Sequence, residues 1–421
     1  MGQADVNTGF KDLTQGFTLE SFWFPAYLAF SVCFYSLRFL FGWGSAETTS
    51  YESDMPSYLA VLKDIFWLGL LGAALCSRSI GRAIDQMKRH PSIYLLLGAF
   101  CAWMMLCSSI HVLFYYEPMS DSLLYNLRKP LEYIPAAILA PAFIGDWRRV
   151  GTTWKWLNLI AIGFAAFEFV TIVGGWKQSG FDWGGLAVRF GGIFGSPNDW
   201  GIYSGCAIVA ILAVANARTQ LLGFVPGLLL SQSRSSLVGC VVAMVPLLYR
   251  SDLRRILMCS FAFLLLVGFA VSFFVPLGSS DDFVPEHVGL DESALSRFDE
   301  MRRFQHDFRD LDNFGTLLFG LRYFHIESYY VALMARGGLP SLGFYAGAIG
   351  MSIVRGWRLR KISTPHLVAL CVVVLISTAS LFIPYPDIYP TNFYLWLAVG
   401  VLWMEPVAAS RWDRTLPDLQ S

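Results

Sequence analysis

Charge is what this sequence has least of. Asp, Glu, Lys and Arg make up 15% of its 421 residues, where a soluble globular domain averages about 25%. Hydrophobic residues make up 55%, and mean hydropathy is +0.51. A chain this long with so little charge cannot cover a water-facing surface, so lipid must cover much of it. Nor does one sign dominate: 31 basic against 31 acidic residues leave no basic excess to argue for nucleic acid. The eight Cys fall inside or beside apolar stretches rather than in a long polar loop. They give no sign of a disulfide framework or a Cys-based metal site and read as small core residues. His is scarce, six in all, and no His-x-x-x-His or carboxylate cluster marks a metal. The first 20 residues are polar and mixed in charge. They show no n-region, h-region and cleavage site in order, so no cleaved signal peptide is expected. No internal repeat, low-complexity tract or inverted pair of broken helices stands out, which disfavours a secondary transporter.

Aromatics, by contrast, reach 16%, with 14 Trp and 18 Tyr, as suits rings seated at membrane interfaces. A spanning helix needs roughly 20 mostly apolar residues. Apolar runs fall near 21–41, 57–76, 91–110, 131–144, 156–175, 198–215, 219–232, 235–249, 256–277, 339–354, 366–384 and 391–408. The pair 219–232 and 235–249 reads as a tilted hairpin. Lys and Arg concentrate in the short segments 77–91, 145–155, 250–255 and 355–361 and in the C-terminal tail, whereas 42–56 has acids and neither base. Positive loops stay inside. Twelve spans put every basic loop and both termini on the cytoplasmic side. The expectation is therefore an all-α polytopic integral membrane protein, a single membrane domain over 1–421, with about twelve transmembrane helices. Its largest outer loop, 278–325, is the longest polar stretch, and 291–309 within it is helix-permissive.

Ionisable groups near a membrane are costly and so are candidates for function. Four clusters qualify. Arg189 to Asp199, RFGGIFGSPND, precedes a span. Its Pro197-Asn198-Asp199 starts a helix that Ser196 or Asn198 can cap. Exposed N–H groups beside an Arg make an anion site, though an ordinary capped helix accounts for the same residues. Ser231 to Ser236, SQSRSS, sits at the outer tip of the hairpin. The Arg234 guanidinium and the hydroxyls of Ser233 and its neighbours suit phosphate. A polar turn with a snorkelling Arg is the alternative. In RYFHIESYYVALMAR, a helix would set Arg322, His325, Tyr329, Ala332 and Arg336 on one face. Gly337-Gly338-Leu339-Pro340 then interrupts it, with Pro340 placed to begin the next helix. Lys63-Asp64 lies within an apolar run and reads as a structural salt bridge.

Taken in order, RFGGIFGSPNDWGIYSG, LLLSQSRSSLVG, a long outer loop and FHIESYYVALMARGGLPSLGFYAGAIG resemble the O-antigen ligase and polymerase family over roughly residues 120–355. The resemblance implies an all-α membrane glycosyltransferase in the bacterial inner membrane, working at the periplasmic face. It implies a glycan on undecaprenyl diphosphate as donor, and no metal, nucleotide sugar or other cofactor. Its implied partners are the bilayer, a glycan or lipid acceptor and other polysaccharide-assembly proteins. His325 matches the family's catalytic His, and Arg189 and Arg234 match its diphosphate-holding Arg residues. Arg322 matches by proximity only. Asn198, Ser233, Tyr329 and Arg336 fall in the same motifs and complete the substrate-binding set. Loop 278–325 is short for a ligase, which favours a polymerase of surface polysaccharide over transfer to lipid A–core. A lipid-linked-sugar flippase is the alternative from another class.

Overall fold

The computed structural model describes residues 24–32, 57–77, 79–114, 119, 127–144, 147–173, 191, 194, 196–214, 218–231, 233–249, 314–320 and 328–406. Among these every regular element is helical and there is no strand. In chain order the main helices are α1 (24–32), α2 (Ser57–Leu75), α3 (Ile80–Arg89), α4 (Pro91–Phe114), α5 (Ile134–Phe143), α6 (Trp147–Val173), α7 (Pro197–Val214), α8 (Leu221–Leu230), α9 (Arg234–Ala243), α10 (Phe314–Phe319), α11 (Tyr329–Leu359), α12 (Thr364–Ala379) and α13 (Thr391–Trp403). Two of them, α4 and α11, are long and apolar enough to cross a membrane.

The centre is α12, which packs on α7, α9, α11 and α13, while α4 lies along α11 and α5 along α13. α7, α12 and α13 are apolar on all sides and buried along nearly their whole length, as an all-round apolar helix must be. The outer helices turn apolar side chains outward: Ile65 and Leu68 of α2, Leu95 and Leu113 of α4, Phe167 and Val170 of α6 are all exposed.

Several expected runs are shorter than their apolar stretches. The run 131–144 becomes a ten-residue helix, α5, preceded by a turn at Glu132 and Tyr133. The hairpin pair becomes α8 and α9, ten residues each, and α9 passes into the 3-10 turn Val245–Tyr249. Ten helical residues rise about 15 Å against a hydrocarbon core of about 30 Å, so α5 and α8 are shorter than a full span, while α9 continues through the 3-10 turn as the apolar helix Arg234–Leu248. Conversely, the run expected at 339–354 is the lower part of α11, which begins at Tyr329. The run 256–277 lies outside the described residues.

α11 is broken where the Gly pair predicts. Gly337 and Gly338 have non-helical angles, and Gly338 sits at φ +65, a conformation that L side chains avoid. The broken helix leaves carbonyls without helical partners, and side chains take them. Ser341 Oγ donates to Leu333 O at 2.7 Å and to Gly338 O at 2.8 Å. Trp103 of α4 donates its indole N–H to Gly337 O at 2.8 Å. Into this break α10 docks backbone against backbone. A Cβ on Gly338 would lie 2.3 Å from Leu318 O, and one on Gly320 (φ +81) 2.3 Å from Ala335 O. The Trp103 and Phe319 rings stack, and His111 Nε2 lies 3.0 Å from Phe319 O.

Candidate functional site

One connection organises the end of the bundle where α7 and α11 begin. It is the segment FIPYPDIYP between α12 and α13. Alternate residues of it, Tyr385, Asp387 and Tyr389, reach three different parts of the fold.

Tyr385 joins α7 to the α8–α9 hairpin. Its hydroxyl lies 2.9 Å from Ser236 Oγ and 3.2 Å from Ser235 Oγ and donates to Asn198 O at 3.3 Å. Ser233 Oγ is 2.9 Å from Ser236 Oγ, and Ser236 Oγ lies 3.4 Å from Asn198 O. Burial holds the Tyr385 phenol above the usual tyrosine range, against the lowering effect of the serine hydroxyls, so it stays a donor. The helices meet closely because position 201 has no side chain: a Cβ there would stand 2.8 Å from Ser233 Cβ. Ser196 caps α7, accepting from the Asp199 N–H at 3.4 Å, with Pro197 as the first helical residue.

Asp387 takes the Arg336 guanidinium at 2.7 Å, both side chains 5% exposed. Tyr389 receives Lys63 over its ring, 5.2 Å to the centroid. Lys63 in turn lies 3.7 Å from Asp64 and 3.6 Å from Glu132, and Arg128 bridges Asp64 at 2.7 Å and Glu132 at 3.4 Å. The expected Lys63–Asp64 pair is thus half of a four-membered network.

Of the residues expected to form a site, Asn198, Ser233, Tyr329 and Arg336 are held around this connection. Arg234 opens α9 at the hairpin tip and is exposed. Tyr329 is fully buried, its ring edge-on to Tyr345 at 5.0 Å, and its N–H donates to Ser380 O at 3.1 Å; its surroundings give it a packing role. Ser328, just before it, is extended (φ −77, ψ 120), so α11 does not run unbroken from Arg322 to Arg336. Only Tyr329, Ala332 and Arg336 share its face. Arg189, Arg322 and His325 lie outside the described residues, as does 278–313.

Tyr385 and Asp387 are the residues the sequence reading passes over. Their only signal is an acid among three prolines between two apolar runs. Among the described residues no group of three or more His, Cys, Asp or Glu is placed to hold a metal. All six described Cys are unbridged, four of them buried.

The opposite end carries basic residues of 77–91 and 355–361. Arg355 donates to Leu402 O at 2.8 Å and lies 3.2 Å from His90 Nε2, while His366 Nε2 lies 3.1 Å from Met404 O. Burial, then the Arg355 guanidinium, hold His90 below the usual histidine range, so it remains neutral and accepts from Arg355. Residues of 77–91 and of 355–361 therefore meet at one end, away from Asn198, Arg234 and Arg336.

Fold and site together define an all-α protein with helices long and apolar enough to cross a membrane and a buried serine–tyrosine and arginine–aspartate cluster at one end. No protein-family model matches this chain, and no curated protein matches it.

Proposed function

We propose that this chain is a bacterial inner-membrane glycosyltransferase of about twelve spans that polymerises undecaprenyl-diphosphate-linked oligosaccharide at the periplasmic face. The observation that carries the reading is convergence. Three motifs far apart in sequence, SPND, SQSRSS and YYVALMARGG, meet at one end of the bundle through Tyr385 and Asp387. Basic residues of 77–91 and 355–361 meet at the other end, and the outer helices present apolar faces of the kind that lipid covers.

Breaking the bond from the anomeric carbon to diphosphate builds negative charge on the leaving oxygen. Arg189 and the exposed Arg234 stabilise it by charge-assisted hydrogen bonds. The acceptor hydroxyl loses its proton as it attacks. A neutral His takes that proton near pH 7, since its ordinary pKa is about 6.5; this is the role of His325. Attack opposite the diphosphate inverts the anomeric centre. Arg336 has a different role, because Asp387 already neutralises it: it holds α11 against the connection.

The test is turnover by purified protein given an undecaprenyl-diphosphate glycan. Arg189→Lys keeps the charge but loses the planar fork and lowers turnover at least about tenfold, as expected for loss of one charge-assisted hydrogen bond of ~1.5–3 kcal/mol. Unchanged turnover removes Arg189 from the donor site. Transfer to lipid A–core instead of chain growth makes the protein a ligase.

A further inference from the structure

The short helix α3 joins α2 to α4, and its residues divide around the axis into three sectors. Ala83 and Gln86 are buried: α3 packs along α5, and Gln86 donates to Gly400 O of α13 at 3.5 Å. Ile84 and Met87 make a second sector, apolar yet 44% and 38% exposed. Arg82, Asp85, Lys88 and Arg89 fill the third, and all four are exposed. A helix with an exposed apolar sector beside a basic one suits the plane of a membrane interface. Lys88 and Arg89 also suit the negative end of the helix dipole, but Arg82 stands in the first turn, at the positive end, where a base is unfavourable.

The end of α11 continues this surface. Arg355 meets His90, the residue after α3, at 3.2 Å. Just beyond Arg355, Trp357, Arg358, Lys361 and Ile362 are exposed. The Arg360 guanidinium lies over the Trp357 ring, 3.9 Å from its centroid, and donates to Trp357 O. Arg89 pairs with Glu405 at 2.7 Å. Among the described residues Lys88 and Arg358 make no ion pair, and Arg82 donates only to Ser79 Oγ, at 2.6 Å. Six bases, Arg82, Lys88, Arg89, Arg358, Arg360 and Lys361, thus stand against two acids, Asp85 and Glu405. The surplus suits an anion, and the exposed apolar side chains among the bases suit one that carries hydrocarbon. A free phosphate would use the bases and leave Ile84, Met87 and Trp357 in water.

We propose that this corner of the bundle binds anionic phospholipid of the adjoining leaflet, with phosphates at Arg82, Lys88 and Arg358 and acyl chains against Ile84, Met87 and Trp357. The site lies at the end opposite the serine cluster. It rests on the chain's lying in a membrane and not on the transferase reading.

The experiment titrates the delipidated full chain in detergent with phosphatidylglycerol or with phosphatidylcholine of the same acyl chains and counts bound lipid by native mass spectrometry. Phosphatidylglycerol is expected to bind at least about tenfold more tightly than phosphatidylcholine. Arg82→Gln, Lys88→Gln and Arg358→Gln each weaken it about fivefold and leave phosphatidylcholine binding unchanged, which also reports that the variant is folded. Asp85→Asn removes the opposing carboxylate and strengthens phosphatidylglycerol binding by a similar factor, a gain that no loss of fold can produce. Met87→Gln, on the apolar sector, weakens both lipids alike. Soluble glycerol 3-phosphate at the same concentration does not compete, because it brings no acyl chain. Equal binding of the two lipids, phosphatidylglycerol binding indifferent to the three Gln variants and to Asp85→Asn, or displacement by glycerol 3-phosphate overturns the assignment.

Discussion

Asp387 and Arg336 stand far apart in sequence and form a buried pair at 2.7 Å. Two buried charges compensate each other, and removing one strands the other. Asp387→Asn therefore costs about 3–5 kcal/mol of stability. The double change Arg336→Met, Asp387→Leu removes both charges and recovers most of that loss. Unfolding in detergent measures both variants. A loss under about 1 kcal/mol for the single change, typical of exposed pairs, would contradict the buried pair. The sequence shows Arg336 on a helix face but offers no clue to its partner. Period 3.6 relates neighbours on one helix, and nothing local relates a helix residue to an acid in a distant connection. The same holds for Arg128 and Glu132, which complete the network that Lys63-Asp64 begins.

At the scale of elements, local rules hold where geometry is local. The Ser196 cap and Pro197 start of α7 follow from chemistry within four residues, and so does the break at Gly337 and Gly338. Gly338→Ala forces a side chain into φ +65 and into Leu318 O. That conformation (φ 65, ψ −169), nearly confined to glycine, alone costs roughly 1–3 kcal/mol, and displacement of α10 adds to it. Gly343→Ala, where a Cβ meets nothing, stabilises α11 by up to about 1 kcal/mol. Thermal unfolding of the two variants should move in opposite directions; equal shifts would mean that the break and α10 are not interlocked. Local rules fail for α5. Its apolar run reads as continuous, yet the turn at Glu132 and Tyr133 cuts it, because Glu132 is drawn to Lys63 and Arg128 and its carbonyl accepts from Trp67 Nε1. The Arg322-to-Arg336 stripe fails for a similar reason: it assumes helix through Ser328, whose extended backbone begins α11 one residue later.

At the scale of the molecule, the all-α class is legible in composition and hydropathy, because they register what must be buried. The two-ended arrangement is legible in the Lys and Arg pattern: Arg355 and His90 meet at one end, Asn198 and Ser236 at the other. What composition cannot encode is the connection that draws the serine hairpin, α7 and α11 together, since it depends on three side chains pointing three ways. The proposed activity is transfer of lipid-linked glycan with His325 as base. Its most direct test is product formation in nanodiscs from an undecaprenyl-diphosphate glycan, without added metal, by the wild type and by His325→Ala. The account predicts lengthened glycan from the wild type and none from a folded His325→Ala. Full activity in that variant would contradict it, and so would donor crossing the bilayer with no product from either protein, which is the behaviour of a flippase.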